Sequence, residues 1–280
     1  MNNRTKMAVA ILLGVSAAGC AGVRHREPIE TDAGTPIPDA RVPVDDAARA
    51  PDASAPVVGT LEIVSGDHQL LLPTAPAGQP VVLRALDGRG RPFHGAHIAL
   101  ALVDGDATLG STAVITDPSG RAEVMFSGAG VPADVSWVVS HVRATRVDGE
   151  GEVTFMATTA AIDPARMFSP VAVLEEPASR DCGSTVAGGV IAGAIQLTLV
   201  VRYGPWANTP IPDVALRVMP DLGEALSVSC ARGEVLTDGG GRARCDLSVE
   251  GEPGRHRFIA VLGERIEFGG MLVGIDAVSP

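Results

Sequence analysis

The sequence predicts an all-β protein of two tandem antiparallel β-sandwiches behind a leader and a tether. Three observations carry this. Beyond residue 57 the apolar runs are short, alternate with a period near two, and are broken by Gly, Pro or Asp every 8–14 residues. Outside the leader no window shows a 3.6-residue apolar stripe capped at both ends. A seven-residue turn motif recurs 121 residues further along the chain. With 280 residues, of which 46% are hydrophobic, the chain is long enough for one large or two ordinary domains.

Residues 1–19 read as a lipoprotein signal peptide. Arg4 and Lys6 form a positive start, Met7 to Val15 an apolar run, and Ser16, Ala17, Ala18 and Gly19 a small-residue exit. The apolar run falls short of the roughly 20 residues a membrane span needs. Ala17-Ala18-Gly19-Cys20 resembles a bacterial lipobox. That resemblance implies lipidation at Cys20, and Ala21 after it implies the outer membrane as destination. Two or three acyl chains anchor stably, at about 0.8 kcal/mol per buried methylene.

Residues 20–57 read as a disordered tether. Positions 21–57 hold six Pro, five Asp and eight Ala, with no aromatic, Leu or Met. Such a composition buries too little to offset its ordering entropy. A flexible chain of this length spans roughly 35 Å.

The first folded unit is predicted at 58–159. Val81-Val82-Leu83-Arg84-Ala85 has strand length. Ile98, Leu100 and Leu102 alternate with Ala99, Ala101 and Val103; Ala122, Val124 and Phe126 alternate with Glu123 and Met125. Trp137 alternates with Val135 and Val139 and is expected in the core; Val153, Phe155 and Ala157 close the unit. The second unit, at 168–276, repeats the first. Thr116-Asp117-Pro118-Ser119-Gly120-Arg121-Ala122 returns as Thr237-Asp238-Gly239-Gly240-Gly241-Arg242-Ala243. In each, Asp bonds its own turn and Gly supplies positive φ before the next strand. Pro92-Phe93-His94-Gly95-Ala96 corresponds to Pro210-Ile211-Pro212-Asp213-Val214, and Leu197, Leu199 and Val201 are matched to Val81, Leu83 and Ala85. A linker at 160–180, with Pro164, Pro170 and Pro177, is expected to be protease-sensitive between independently folding copies.

Ser65-Gly66-Asp67-His68-Gln69, Gln79-Pro80-Val81-Val82-Leu83-Arg84 and Asp87-Gly88-Arg89-Gly90-Arg91-Pro92 follow one another, and then come the 116–122 turn and Val153-Thr154-Phe155-Met156-Ala157-Thr158. Together they resemble a bacterial immunoglobulin-like domain of the invasin/intimin type, closely over 58–159 and more loosely over 168–276. The resemblance implies immunoglobulin-like sandwiches that serve as spacers and adhesive modules at bacterial surfaces, and it speaks to fold more than to activity.

The chemistry the sequence excludes is broad. A net charge of −11 argues against nucleic acid, whose phosphates attract a surplus of Lys and Arg. Lys6 is the only lysine, so the mature chain has no lysine amine for Schiff-base or P-loop chemistry. There is no G-x-S-x-G elbow, and the histidines at 25, 68, 94, 97, 141 and 256 form no local pattern, so no catalytic residue is assigned. No metal and no cofactor is expected: zinc spacing is absent, and Asp104-Gly105-Asp106 with Asp117 lacks the calcium-loop pattern and reads as turn residues.

Beyond Cys20 the chain has Cys182, Cys230 and Cys245, and thiols of an exported chain tend to pair. Cys230 and Cys245 are the favoured pair, falling at the positions of Leu109 and Val124, although Cys182 can take either partner instead. Tyr203 and Trp206 share one loop and form a candidate binding surface for a sugar or a protein; the alternative is that Trp206 caps the open end of its sandwich. The sequence thus predicts a non-enzymatic, lipid-anchored surface protein for adhesion or spacing. Its partners are the membrane and an unidentified protein or glycan. The alternative is an accessory carbohydrate-binding lipoprotein using the Trp206 loop.

Overall fold

Short alternating runs leave one apolar face per strand, and two such faces closed on each other make a sandwich. The computed structural model describes residues 59–128, 130–162, 170–202 and 205–277, and every regular element among them is a β-strand. The leader, Cys20 and the tether at 20–57 lie outside the described residues.

Domain one runs β1 (Leu61–Ser65), β2 (Gln69–Leu71), β3 (Val81–Ala85), β4 (His97–Asp104), β5 (Thr108–Leu109), β6 (Ala113–Ile115), β7 (Arg121–Val124), β8 (Phe126–Ser127), β9 (Trp137–Arg146) and β10 (Glu152–Ala160). One sheet has the order β1-β3-β7, the other β2-β10-β9-β4-β6, and β5 pairs with β8. Val81, Leu83, Ala85, Ile98, Leu100, Ala122, Val124, Phe126, Val142 and Phe155 fill the space between. The chain enters in the first sheet and crosses to the second, where β2 runs parallel to β10 with Gln69 opposite Ala157.

Domain two repeats the plan with β11 (Val171–Glu176), β12 (Asp181–Val186), β13 (Val190–Val201), β14 (Thr209–Pro210), β15 (Ala215–Pro220), β16 (Leu226–Cys230), β17 (Val235–Leu236), β18 (Arg242–Gly251), β19 (Gly254–Leu262) and β20 (Ile266–Asp276). Its sheets are β11-β13-β18-β16, with β14 on β13, and β12-β20-β19-β15-β17. Here too the second strand crosses sheets: β12 runs parallel to β20. A first strand split between two facing antiparallel sheets, with its second part parallel to the last strand, makes each domain an immunoglobulin-like sandwich.

The repeated turn is built identically in both domains. Thr116 Oγ1 donates to Phe93 O (2.7 Å) and accepts from Ala96 N (2.9 Å). Thr237 Oγ1 donates to Ile211 O (2.9 Å) and accepts from Val214 N (3.0 Å). Asp117 Oδ1 accepts from the amides of Ser119 and Arg121, and Asp238 Oδ1 from those of Gly240 and Arg242. Gly120 and Gly241 have φ of 74° and 72°. A Cβ at either would lie 2.7 Å from Ala85 O or 2.3 Å from Leu199 O, so only glycine closes the turn.

The register corrects one expectation from the sequence. Leu83 faces Ala122 and Leu197 faces Ala243, so Leu197 matches Leu83 and not Val81. A two-residue slip keeps every side chain on its own face, which is why alternation alone does not reveal it. The linker is also shorter than 160–180, because β11 pairs Val171–Leu174 with β13 and so belongs to domain two.

The two sandwiches lie within one compact unit and meet at a junction built on the short strand β2. Leu70 and Ala160, from domain one, are fully buried in the core of domain two beside Ile211, Val214 and Leu262. Trp137, expected in the core of its own domain, also packs on the core of domain two. It begins β9 at the end of the sandwich, where its indole N–H needs an acceptor and donates to Pro210 O at 3.0 Å.

Candidate functional site

Two features of the described residues stand out as places where the molecule does something beyond folding: the junction and the groove beside it. At the junction β2 is apolar on both faces. Gln69, Leu70 and Leu71 are all buried, Leu71 in its own core and Leu70 in its neighbour's. Leu70 N donates to Gly263 O (3.0 Å) and Ala215 N to His68 O (3.0 Å). Arg265 Nε donates to Leu70 O (3.1 Å) and its Nη2 to Pro76 O (2.8 Å). His68 Nδ1 faces Asp213 O at 3.1 Å, and Thr158 Oγ1 donates to Pro212 O at 3.4 Å. Gly263 has φ of 59°, and a Cβ there would meet Leu70 Cβ at 2.4 Å, so the socket exists because residue 263 has no side chain.

The loop that fills this socket is held from its own side. Asp67 Oδ1 accepts from His68 N and Met156 N, each at 2.8 Å. Gln69 Nε2 donates to Gly66 O and Gln79 O, each at 2.8 Å, and its Oε1 accepts from Gln79 N. A buried amide satisfied at both ends fixes a loop in one conformation.

The groove, of about 430 Å³, runs between the domains. Ile63, Val64, Ser65 and Asp67 form one wall; Leu216, Arg217, Val218, Ser229, Cys230, Gly233 and Glu234 form the other. Arg217 is held between Glu264 (3.1 Å) and Glu234 (3.4 Å).

The cysteines occupy distinct settings. Cys230 and Cys245 are joined by a disulfide that ties β16 to β18, with Cα atoms 5.3 Å apart. Leu109 opposite Phe126 matches Cys230 opposite Leu247, which gives the 121-residue correspondence structural form. Cys182 is a free buried thiol, pushed up to about 12 by burial and the adjacent Asp181 carboxylate.

Trp206 is half-buried and packs against the core of domain two, while Tyr203 lies outside the described residues. Asp104 pairs with His141, Asp106 N bonds Ser140 Oγ, and Asp117 serves its own turn, so the structure does not bring these carboxylates together. Among the described residues no three His, Cys, Asp or Glu side chains are grouped to hold a metal ion. His256 faces Glu224 Oε2 (3.2 Å) and Glu252 O (2.8 Å).

Sequence reasoning missed the junction residues Leu70, Gly263 and Arg265. One signal was present: Leu70-Leu71-Leu72 breaks the alternation, and a strand apolar on consecutive residues has two faces to bury.

No protein-family model matches the sequence, and no curated protein matches it. Among solved structures the chain is similar to the D0-D1 domains of intimin (17% identity over 78% of this chain and 97% of that one, TM-score 0.28). It is also similar to InvD of Yersinia pseudotuberculosis (16%, 80% and 60%, TM-score 0.29) and to the Escherichia coli adhesin FdeC (13%, 78% and 64%, TM-score 0.27). At this level of superposition the likeness adds nothing to the assignment, which rests on strand order, the split first strand and the repeated turn. The chain is a tandem of two immunoglobulin-like β-sandwiches.

Proposed function

We propose that this protein is a non-enzymatic, lipid-anchored spacer of the bacterial envelope, an adhesion-type module that holds a binding surface clear of the membrane on a stiff pair of domains. The observation that carries the reading is the junction. Flexibly linked domains leave polar, modest interfaces between them. Here Leu70, Ala160 and Trp137 of one sandwich are packed into the other under several hydrogen bonds. A spacer benefits from such stiffness, because a free hinge would let the far domain fall back toward its anchor. Cys20 supplies the anchor and the tether the clearance.

The test uses the acylated chain in a supported bilayer with a donor fluorophore on the first sandwich and an acceptor on the second. Spacing requires a narrow distribution of the distance between them, whatever height the tether allows, and Leu70→Asp should broaden it. A wild-type distribution as broad as that of the variant would overturn the spacer reading. Cys20→Ser tests the anchor separately and should leave the protein in the aqueous phase of a detergent partition.

A further inference from the structure

A sheet edge is a template for another strand unless it is short, covered, bulged or charged. Among the described edges, β2 is covered by domain two through Leu70, β1 packs beside β10, and β16 packs beside β15. β7 exposes Arg121 and Glu123, and the β12 ladder has a register shift. β5, β6, β8, β14 and β17 are three residues or fewer. β11 lacks these guards from Val171 to Leu174. It keeps unbroken register with β13 over that stretch, and among the described residues β13 is the one strand that lies along it. The equivalent edge of domain one shows the contrast. Leu83 matches Leu197, so Glu62, opposite Arg84, matches Val173, opposite Thr198. Domain one places the Glu62–Arg84 ion pair where domain two has a half-exposed valine beside a threonine.

The hydrogen-bond phase shows which groups are free. Leu199 N donates to Gly241 O and Leu199 O accepts from Ile211 N, so the odd-numbered residues of β13 face β18 and β14. Thr198 and Val200 therefore face β11 and exchange bonds with Val173 and Val171. Ala172 and Leu174 turn their N–H and C=O groups to the open side. That edge is complementary to itself. A two-fold axis through Val173 sets Ala172 of each copy opposite Leu174 of the other, and each of these pairs exchanges both backbone bonds. The two Val173 side chains meet as a non-hydrogen-bonded pair, the closer of the two kinds. Glu175 falls opposite Val171, so no like charges are opposed. The same axis fixes orientation. Val171 lies at the junction end of β11, because its partner Val200 faces Pro210, whose carbonyl accepts from Trp137 of domain one. From there β11 runs away from domain one, so antiparallel pairing of two β11 strands puts the two first domains at opposite ends of the pair.

We propose that the outer edge of β11 pairs with β11 of a second copy of this chain, and that the pairing joins copies anchored on two opposing membranes. The opposing-membrane clause rests on the lipid-anchored reading; the strand pairing does not. A few residues per chain bury far less than the roughly 1,200 Å² of a stable complex, so each pair is weak and many anchored copies hold together by avidity.

The test uses the full mature chain with a hexahistidine tag in place of the acylated terminus, bound to phosphatidylcholine vesicles that carry a nickel-chelating lipid. Native acylation then plays no part, and turbidity reports vesicle clustering. The wild type should cluster the vesicles. Val173→Lys and Val173→Glu each set like charges face to face at the two-fold axis. Each should lower clustering by at least about tenfold, since avidity multiplies a small loss per pair. Val173 is half-exposed, so both variants should keep the wild-type melting temperature. Vesicles bearing Val173→Lys mixed with vesicles bearing Val173→Glu oppose lysine to glutamate, and clustering should return. No clustering by the wild type, clustering unchanged in either variant, or a mixture no better than the variants alone would each overturn the pairing. Loss of the anchor reading in the Cys20→Ser partition would overturn the opposing-membrane clause alone.

Discussion

Thr116 and Thr237 show how one residue type holds a fold. Each is almost fully buried, and each hydroxyl satisfies one backbone acceptor and one backbone donor across the strand-opening loop. Valine has the same shape without the hydroxyl, so Thr116→Val or Thr237→Val leaves two buried backbone groups unpaired. Each should cost about 1–3 kcal/mol, and chemical denaturation measures it. The turn motif was legible in the sequence because Asp and Gly have local reasons to be there. The threonine's role was not, because its partners lie twenty or more residues away. Asp87 is a further local device: the amide of Arg91, then its guanidinium, hold the carboxyl down at about 2. A depressed native value means its contribution is complete above the ordinary carboxylate range and is lost as the pH falls toward about 2. An NMR titration of the Asp87 carboxyl should show that low midpoint, and a midpoint of about 4 would contradict the turn geometry.

At the scale of elements, strand identity was readable and strand placement was only partly so. Alternation located β3, β4, β7 and β18, because each has one face toward a core. It did not reveal the two-residue slip of β13, since faces are preserved, nor β2, whose two faces enter two cores. The disulfide acts at this scale, holding β16 to β18 where domain one has only the two-residue strands β5 and β8. Closing a loop of 15 residues restricts the unfolded chain by about 3 kcal/mol. Reducing agent should therefore lower the unfolding midpoint by several degrees, and an unchanged midpoint on full reduction would contradict that role. The loop of Tyr203 and Trp206 was legible as an aromatic pair, and one of its two readings, that Trp206 caps its sandwich, agrees with the packing of the half-buried indole on the core.

For the whole molecule, the repeat was legible and the coupling between copies was not. Internal similarity describes what two modules share, whereas a junction is made of what they do not share. Gly263 N bonds Ala215 O as Val147 N bonds His97 O, so the same position carries glycine in domain two, where a neighbour docks, and an exposed valine in domain one. The equivalence that marked two copies thus conceals a docked pair, in which the core of domain two takes in Leu70 and Ala160 of domain one. The direct measurement is the distance between nitroxide labels, one per sandwich, attached through encoded ketone residues at the exposed positions Glu123 and Glu250. Pulsed electron resonance should give one narrow distance distribution for the wild type and a broad one for Leu70→Asp. A wild-type distribution as broad as that of the variant would contradict a rigid junction.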